Sequence, residues 1–330
     1  MPPNFLTETN RFILTATGAS EILHTKNLQN LWSGYGRIVR YSLAKGRHSS
    51  VILKHIQPDR HASHPRGWDS DTSNQRKLQS YDVEFHWYRY YASLCDDNCR
   101  VPGFIDGQAR SRETLLLLED LDNHYPARRD SLSVQEVTVC LSWLAHFHAT
   151  FMGHPGEGLW QTGTYWHLAT RADEFNAMAE GPVKQAAGAI DHTLNHCQYQ
   201  TLVHGDAKVA NFCFATDRQH VAAVDFQYVG RGCGIKDVVY LLGSCLSGEE
   251  TAANEAKLLD HYFNQLHLAL AETPHAIHSS AIETEWRTLY AIAWTDFYRF
   301  LLGWNPGHRK IDRYTQHLAN VALASLQDIS

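Results

Sequence analysis

The sequence predicts an α+β chain in two lobes, a small N-terminal one with an antiparallel sheet and one main helix, then a larger, mostly helical one. Three observations predict it. Apolar runs of strand length at 37–43, 51–56 and 114–121 crowd the first third and are bounded by turn residues. One segment of that third, 80–94, repeats apolar residues at helical spacing (Val83, Trp87, Tyr90, Tyr91, Leu94). Beyond it helical patterns dominate, broken by two short apolar runs, 201–203 and 221–224, that read as buried strands. At 330 residues the chain is long enough for both lobes, divided as 1–121 and 122–330.

In chain order, Gly34 and Gly36 come first, just ahead of the 37–43 strand. Without a Cβ, their backbone amides could approach phosphates closely. The third glycine of a full GxGxxG is missing, since position 39 is Val39, so the pair also fits an ordinary hairpin. Residues 44–47 turn the chain into the 51–56 strand, which carries Lys54 on the face of Ile52 and Ile56. A lysine there either snorkels to solvent or meets an anion. Glu84, on the 80–94 helix, supplies a candidate partner, and the polar segment 58–76 reads as the loop between them. The 114–121 strand ends in Glu119, Asp120 and Leu121, where the acids fit either a solvated strand end or part of a nucleotide site.

In the second lobe, Ser133 caps a helix from Val134 with Glu136 three residues on, and Val137, Leu141, Leu144, Ala145, His148 and Met152 follow on one face. His148 on that face reads as a hydrogen-bonded core histidine. Residues 153–163 form a glycine-rich break, 165–199 read as inserted helices, 230–234 as a flexible glycine segment, and 235–246 as a helix bearing Asp237. Trp286, Tyr290 and Trp294 share one helix face, with Phe297, Tyr298 and Trp304 close behind. They fit a helix core, or an aromatic wall for a quaternary ammonium, each cation–π contact contributing about 0.5–2 kcal/mol. Glu285 and Asp296 fit a solvated face or the recognition of a cationic amine.

The chemistry sits in His204-Gly205-Asp206-Ala207-Lys208-Val209-Ala210-Asn211 and Val224-Asp225-Phe226-Gln227. Phosphoryl transfer asks a protein for metal ions held against phosphates, a carboxylate near the attacking hydroxyl, and positive charge on the transferring group. Asp206 suits the carboxylate, Lys208 the γ-phosphate contact, and Asn211 with Asp225 the oxygen ligands of Mg²⁺. Lys54, oriented by Glu84, suits the α- and β-phosphates. The bland alternative is a set of turn residues between strands; the combination of Lys208, Asn211 and an Asp-Phe pair is more specific than that.

In this order, residues 51–54, 76–81 with Glu84 and Trp87-Tyr88, 118–121, the HGDAKVANFCF run and VDFQ resemble the aminoglycoside phosphotransferase and choline kinase superfamily. Within it they resemble most the ecdysteroid-kinase-like branch. The resemblance implies a bilobal protein-kinase-like fold and ATP- or GTP-dependent transfer of a γ-phosphate to a hydroxyl of a small molecule. By the same resemblance Asp206 is the base, Asn211 and Asp225 are metal ligands, Glu119 and Leu121 offer backbone groups to adenine, and Asp237 braces the catalytic loop. A lipophilic hydroxylated acceptor such as a steroid suits that branch. Two departures from protein kinases stand out: Gly205 where an arginine is expected, and Gln227 where a glycine follows Asp-Phe. With no Ala-Pro-Glu element after Asp225, a protein substrate is not expected. A nucleotide-binding scaffold without turnover remains the rival reading, weakened because Lys54, Glu84, Asp206, Asn211 and Asp225 are all present.

Composition narrows the classes further. No apolar run approaches the ~18 residues that span a bilayer, and the first residues carry no secretory pattern. Seven cysteines without a CxxC pair suggest reduced thiols in the cytoplasm. A pI near 6.4 disfavours a nucleic-acid partner. The 35 acids against 29 bases give no strongly acidic groove for an aminoglycoside. His192 and His196 have metal-pair spacing but no third ligand nearby, and read as ordinary histidines.

Overall fold

The computed structural model describes residues 7–31, 34–57, 71–110, 113–273 and 278–327. The chain forms two compact units, Met1–Ser93 with Val101–His124, and Leu94–Arg100 with Tyr125–Ser330.

The first unit opens with helix α1 (Glu8–Thr17), capped by the Thr7 hydroxyl accepting from Asn10 N and stopped by Gly18 in the left-handed region. Strands β1 (Glu21–Asn30), β2 (Gly36–Ala44) and β3 (Ser50–Ile56) precede helix α2 (Asp71–Tyr90), and β4 (Phe104–Arg110) and β5 (Glu113–Glu119) follow it. They form one antiparallel sheet ordered β1-β2-β3-β5-β4. Strand alternation sends Val39, Tyr41, Leu43, Val51, Leu53, Leu115 and Leu117 to one face, where they bury Phe12 and Ile13 of α1. Lys54 pairs with Leu116 and Ile38 across the strands and so faces the other way.

Several expectations change here. Residues 71–76 belong to α2 rather than to a loop, and 58–70 lie outside the described residues. Val83, Trp87 and Tyr91 are buried, but Tyr90 and Leu94 are exposed, so the buried stripe runs through Tyr81, Glu84 and Tyr88 instead. The last strand stops at Glu119, and Leu121–Asn123 make a single tight helical turn. Elements α1, β1 and β4 have no counterpart in the sequence reading. Strand β1 is a polar edge strand with almost every side chain exposed, so it carries no apolar alternation to detect.

In the second unit α3 (Val134–Thr150) starts with the predicted reciprocal cap between Ser133 and Glu136. It ends before Met152. Helices α4 (Ala172–Ala177), α5 (Pro182–Gln185) and α6 (Ala187–Asn195) follow. Two small antiparallel ribbons come next: β6 (Thr201–Val203) pairs with β9 (Gly230–Gly232), and β7 (Phe212–Phe214) pairs with β8 (Val221–Ala223). Helices α7 (Ile235–Cys245), α8 (Gly248–Ala271), α9 (Ser279–Trp304) and α10 (Arg313–Gln327) complete the unit. No helix among the described residues is long and apolar enough to cross a membrane.

The glycines of 230–234 are not a flexible segment. Gly230 lies in β9, where a Cβ would come within 2.2 Å of the Trp160 carbonyl oxygen, so close backbone approach is what requires it. The aromatic face of α9 is core: Trp286, Tyr290, Trp294 and Phe297 are all buried. Glu285 accepts from Gln198 N at 2.6 Å and Tyr199 N at 2.9 Å, which ties down a turn. Asp296 is buried between Lys236, Arg299 and the Trp166 indole. Neither acid lies on a solvated face or is left over for an amine.

Candidate active site

In the first unit, Lys54 and Glu84 are 5% and 2% exposed and form an ion pair at 2.6 Å from Nζ to Oε2. The lysine does not snorkel. Its place on β3 and the position of Glu84 on the buried stripe of α2 bring the charges together, and each removes the burial penalty of the other. Gly36 has φ +139°, and a Cβ on it would lie 2.0 Å from the His55 carbonyl, so hairpin packing accounts for this glycine. Gly34, with φ +72°, faces open space. Glu119 accepts from Gly103 N through Oε2 at 2.9 Å. Asp120 is buried against Arg40, whose Nη2 donates to Oδ1 at 3.0 Å, so it is not a solvated strand end. Leu121 is buried at the start of its turn.

In the second unit, β6 delivers His204 and Gly205 onto Asp237. Asp237 Oδ2 accepts from His204 N at 2.5 Å, and Oδ1 accepts from Gly205 N at 3.0 Å. His148 Nε2 donates to the same Oδ2 at 3.2 Å, while its Nδ1 accepts from the Tyr262 hydroxyl at 2.7 Å. This tautomer follows from the network. The histidine of α3 is thus a core histidine as expected, and it braces the acid that braces the loop. Gly205 has φ +78°, and a Cβ there would meet Tyr228 O at 2.1 Å, so an arginine has no room.

The loop then turns. The buried His204 ring accepts from Asp206 N at 3.2 Å and reaches Val224 O at 3.0 Å, and burial pushes its pKa down, which keeps it neutral. Asp206 Oδ2 accepts from Lys208 Nζ at 2.7 Å and from Asn211 Nδ2 at 3.0 Å. The same Asn211 amide donates to Asp206 O at 2.8 Å. Burial raises the Asp206 pKa, Lys208 opposes the rise, and Asp225 adds to it. For Lys208, burial works against the ammonium, but Asp206 and Asp225 outweigh it and hold the pKa up.

Asn211 O accepts from Val224 N at 3.0 Å, a backbone tie that seats Asn211 beside the turn carrying Asp225. Asp225 adopts φ +70°, uncommon for a side chain with a Cβ, and Gln227 Nε2 donates to its Oδ1 at 2.7 Å. Next to Asp206 stand the neutral phenols of Tyr165 and Tyr240, whose pKa values burial drives up; Asp206 pushes both further the same way.

The structure therefore assembles Asp206, Lys208, Asn211 and Asp225 in one unit, and Lys54 with Glu84 in the other. Sequence reasoning did not find Tyr165 and Tyr240, which carry no motif signal. Gln227 was visible only as the residue in the place of a glycine.

Residues 163–274, less than half of the chain, match the family model described as the Ecdysteroid kinase-like family. That segment includes the whole Asp206 to Gln227 constellation, in agreement with the resemblance read from the motifs. No curated protein matches the chain significantly. Among solved structures, an aminoglycoside-3'-phosphotransferase of type VIII is 16% identical, over 80% of this chain and 92% of that one, with a TM-score of 0.44. An aminoglycoside phosphotransferase from Streptomyces rimosus, in complex with ADP and streptomycin, is 10% identical over 86% and 99%, with a TM-score of 0.40. A Plasmodium vivax ethanolamine kinase is 8% identical over 92% and 82%, with a TM-score of 0.45. No residue role is carried over from likenesses this distant.

Proposed function

We propose that the protein is a small-molecule kinase of the ecdysteroid-kinase-like type, which moves the γ-phosphate of ATP to a hydroxyl of a small acceptor. The arrangement around Asp206 carries this reading: a buried carboxylate with raised pKa, held at one oxygen by Lys208 and Asn211, with Asp225 in its field. Oδ2 already accepts two bonds, so Oδ1 takes the proton of the acceptor hydroxyl. A raised pKa makes a carboxylate a better base. Lys208 neutralises the γ-phosphate, and Lys54, fixed by Glu84, grips the α- and β-phosphates. Gly34 and Gly36, and the backbone at Glu119 and Leu121, line the nucleotide site of the 1–121 lobe, and the 122–330 lobe carries the catalysis and the acceptor.

Asn211 and Asp225 would hold Mg²⁺. The donors fit a hard cation, since both offer oxygen, and the mutual repulsion of Asp206 and Asp225 is relieved by positive charge between them. Bound there, Mg²⁺ neutralises charge on the phosphates during transfer. Seven free cysteines suit a reducing compartment such as the cytoplasm.

The test is ADP release from Mg·ATP against choline, ethanolamine, aminoglycosides, sugars, nucleosides and hydroxylated steroids. Release stimulated by one class should fall by about 10²–10⁴ in Asp206→Ala, with nucleotide affinity nearly kept. Undiminished turnover in that variant would remove Asp206 as the base. Asp225→Ala should abolish Mg²⁺-dependent nucleotide binding, and unchanged affinity would overturn the metal assignment.

A further inference from the structure

The fully buried cations of the second unit each have a carboxylate. Lys236 and Arg299 share Asp296 at 3.6 and 2.9 Å. Lys208, on the candidate site itself, has Asp206 at 2.7 Å. Lys310 differs from these three. It is half-buried in the segment between α9 and α10, and among the described residues its ammonium has no hydrogen-bond or ion-pair partner. It lies 5.3 Å from the ring centre of Tyr240 and 5.4 Å from that of Phe297. It is not a loose arm either. Its backbone N donates to His308 Nδ1 at 3.3 Å, and its carbonyl accepts from Thr315 Oγ1 at 2.9 Å.

Two aromatic faces attract a cation but offer it no hydrogen-bond acceptor. Burial and neighbouring Arg309 push the Lys310 pKa down to about 8, with Lys208 acting the same way and Cys245 and Asp206 pulling it up. The groups facing it are therefore Arg309 and His308 from its own segment, Cys245 and Tyr240 from α7, Phe297 from α9, and Asp206 with Lys208 from the catalytic loop. Tyr240 links the two places, since its ring carries Lys310 and its hydroxyl lies in the field of Asp206.

Building on the kinase reading above, we infer that Lys310 receives an anionic group of the acceptor, a carboxylate, sulfate ester or phosphate ester, while a hydroxyl of the same molecule meets Asp206. The anion gives Lys310 the pairing that Lys236, Arg299 and Lys208 already have. It also selects against acceptors that are cationic throughout, such as choline or ethanolamine, because the ammonium would repel them.

The experiment labels the full-length protein with an amine-reactive reagent at pH 8 and follows Lys310 by peptide mass spectrometry. Two scaffolds serve as probes, glucose and a hydroxylated steroid, each as carboxylate, sulfate ester, phosphate ester, uncharged parent and amine. Anionic members of one scaffold should slow labelling about tenfold or more while parents and amines do not, and the most protective anion names the group. Protection by none of them, equal protection by parents or amines, or protection by Mg·ATP alone would overturn the inference. ADP release runs in parallel. Protection by anions without release from any acceptor would keep the anion site and defeat the kinase reading. Release stimulated by a neutral or amine acceptor, with Lys310 unprotected, would do the reverse. For the anionic acceptor that works, Lys310→Met should raise KM about tenfold or more and Lys310→Arg should largely restore it.

Discussion

The side-chain amide of Gln227 donates to Oδ1 of Asp225, two residues earlier, at 2.7 Å, and Phe226 between them in sequence is buried. Gln227 is itself held, since it is buried and its carbonyl accepts from the Trp160 indole at 2.8 Å. A fixed donor on one carboxylate oxygen sets the plane of the carboxylate and directs the other oxygen.

Removing that donor should loosen Asp225 without removing its charge. Gln227→Leu is expected to raise the Mg²⁺ concentration needed for half-maximal nucleotide binding by about 10–100-fold, the usual effect of losing a partner of a metal ligand. Titrating Mg²⁺ at fixed ATP in a fluorescence binding assay measures it. An unchanged Mg²⁺ midpoint in a folded variant would show that Gln227 does not orient Asp225.

The catalytic loop depends on one acid in the same way. Asp237 is fully buried and accepts from two backbone amides and from His148. Asp237→Ala leaves those donors without a partner, and the expected loss is about 3–5 kcal/mol of unfolding free energy. Urea denaturation reads it directly. A loss below about 1 kcal/mol would mean that water satisfies the loop amides and that the brace is dispensable.

How much of this was legible in the sequence depends on where each residue's partner lies. The strand lysine and helix glutamate, Lys54 and Glu84, could be matched because a charge within an apolar pattern demands a partner. The Ser133 cap and the 235–246 helix follow from local rules, and both are present within a residue or two. The α9 aromatics showed their shared face but not what covers it, since periodicity reports a stripe and not its contacts. The glycines of 230–234 misled for a related reason. A glycine that admits a neighbouring backbone looks the same in sequence as one that supplies freedom. Edge strand β1 left no trace because an exposed strand needs no alternation. Lys310 is silent in sequence, its significance resting on an ammonium that has no hydrogen-bond or ion-pair partner among the described residues.

Asp296 tests the buried charge cluster. Burial pushes its pKa up, but Arg299 and Lys236 outweigh this and hold the carboxyl below its ordinary range. A carboxylate with depressed folded pKa contributes stability above its unfolded value and loses it as acid protonates it. Asp296→Asn keeps the shape and leaves Arg299 and Lys236 facing a neutral amide, so a loss of about 3–5 kcal/mol is expected near neutral pH. The gap to wild type should narrow in acid, because protonation there neutralises the wild-type aspartate as well. A constant gap from neutral pH down to the acid transition would place the effect in packing rather than charge.

Lys310 gives the opposite sign. Its folded pKa, about 8, lies below the ordinary 10.5, so the folded state binds fewer protons between those values. The unfavourable contribution is complete below about 8 and fades as pH rises toward 10.5. Lys310→Met keeps most of the stem against Tyr240 and Phe297 and removes the charge. The variant should therefore melt above wild type at pH 6.5, and the advantage should shrink by pH 9.5, as paired thermal melts would record. That outcome would fit a charge whose partner is a bound anion rather than a group of the protein. A variant that melts lower at both pH values would instead make Lys310 a structural cation, satisfied by its two aromatic faces.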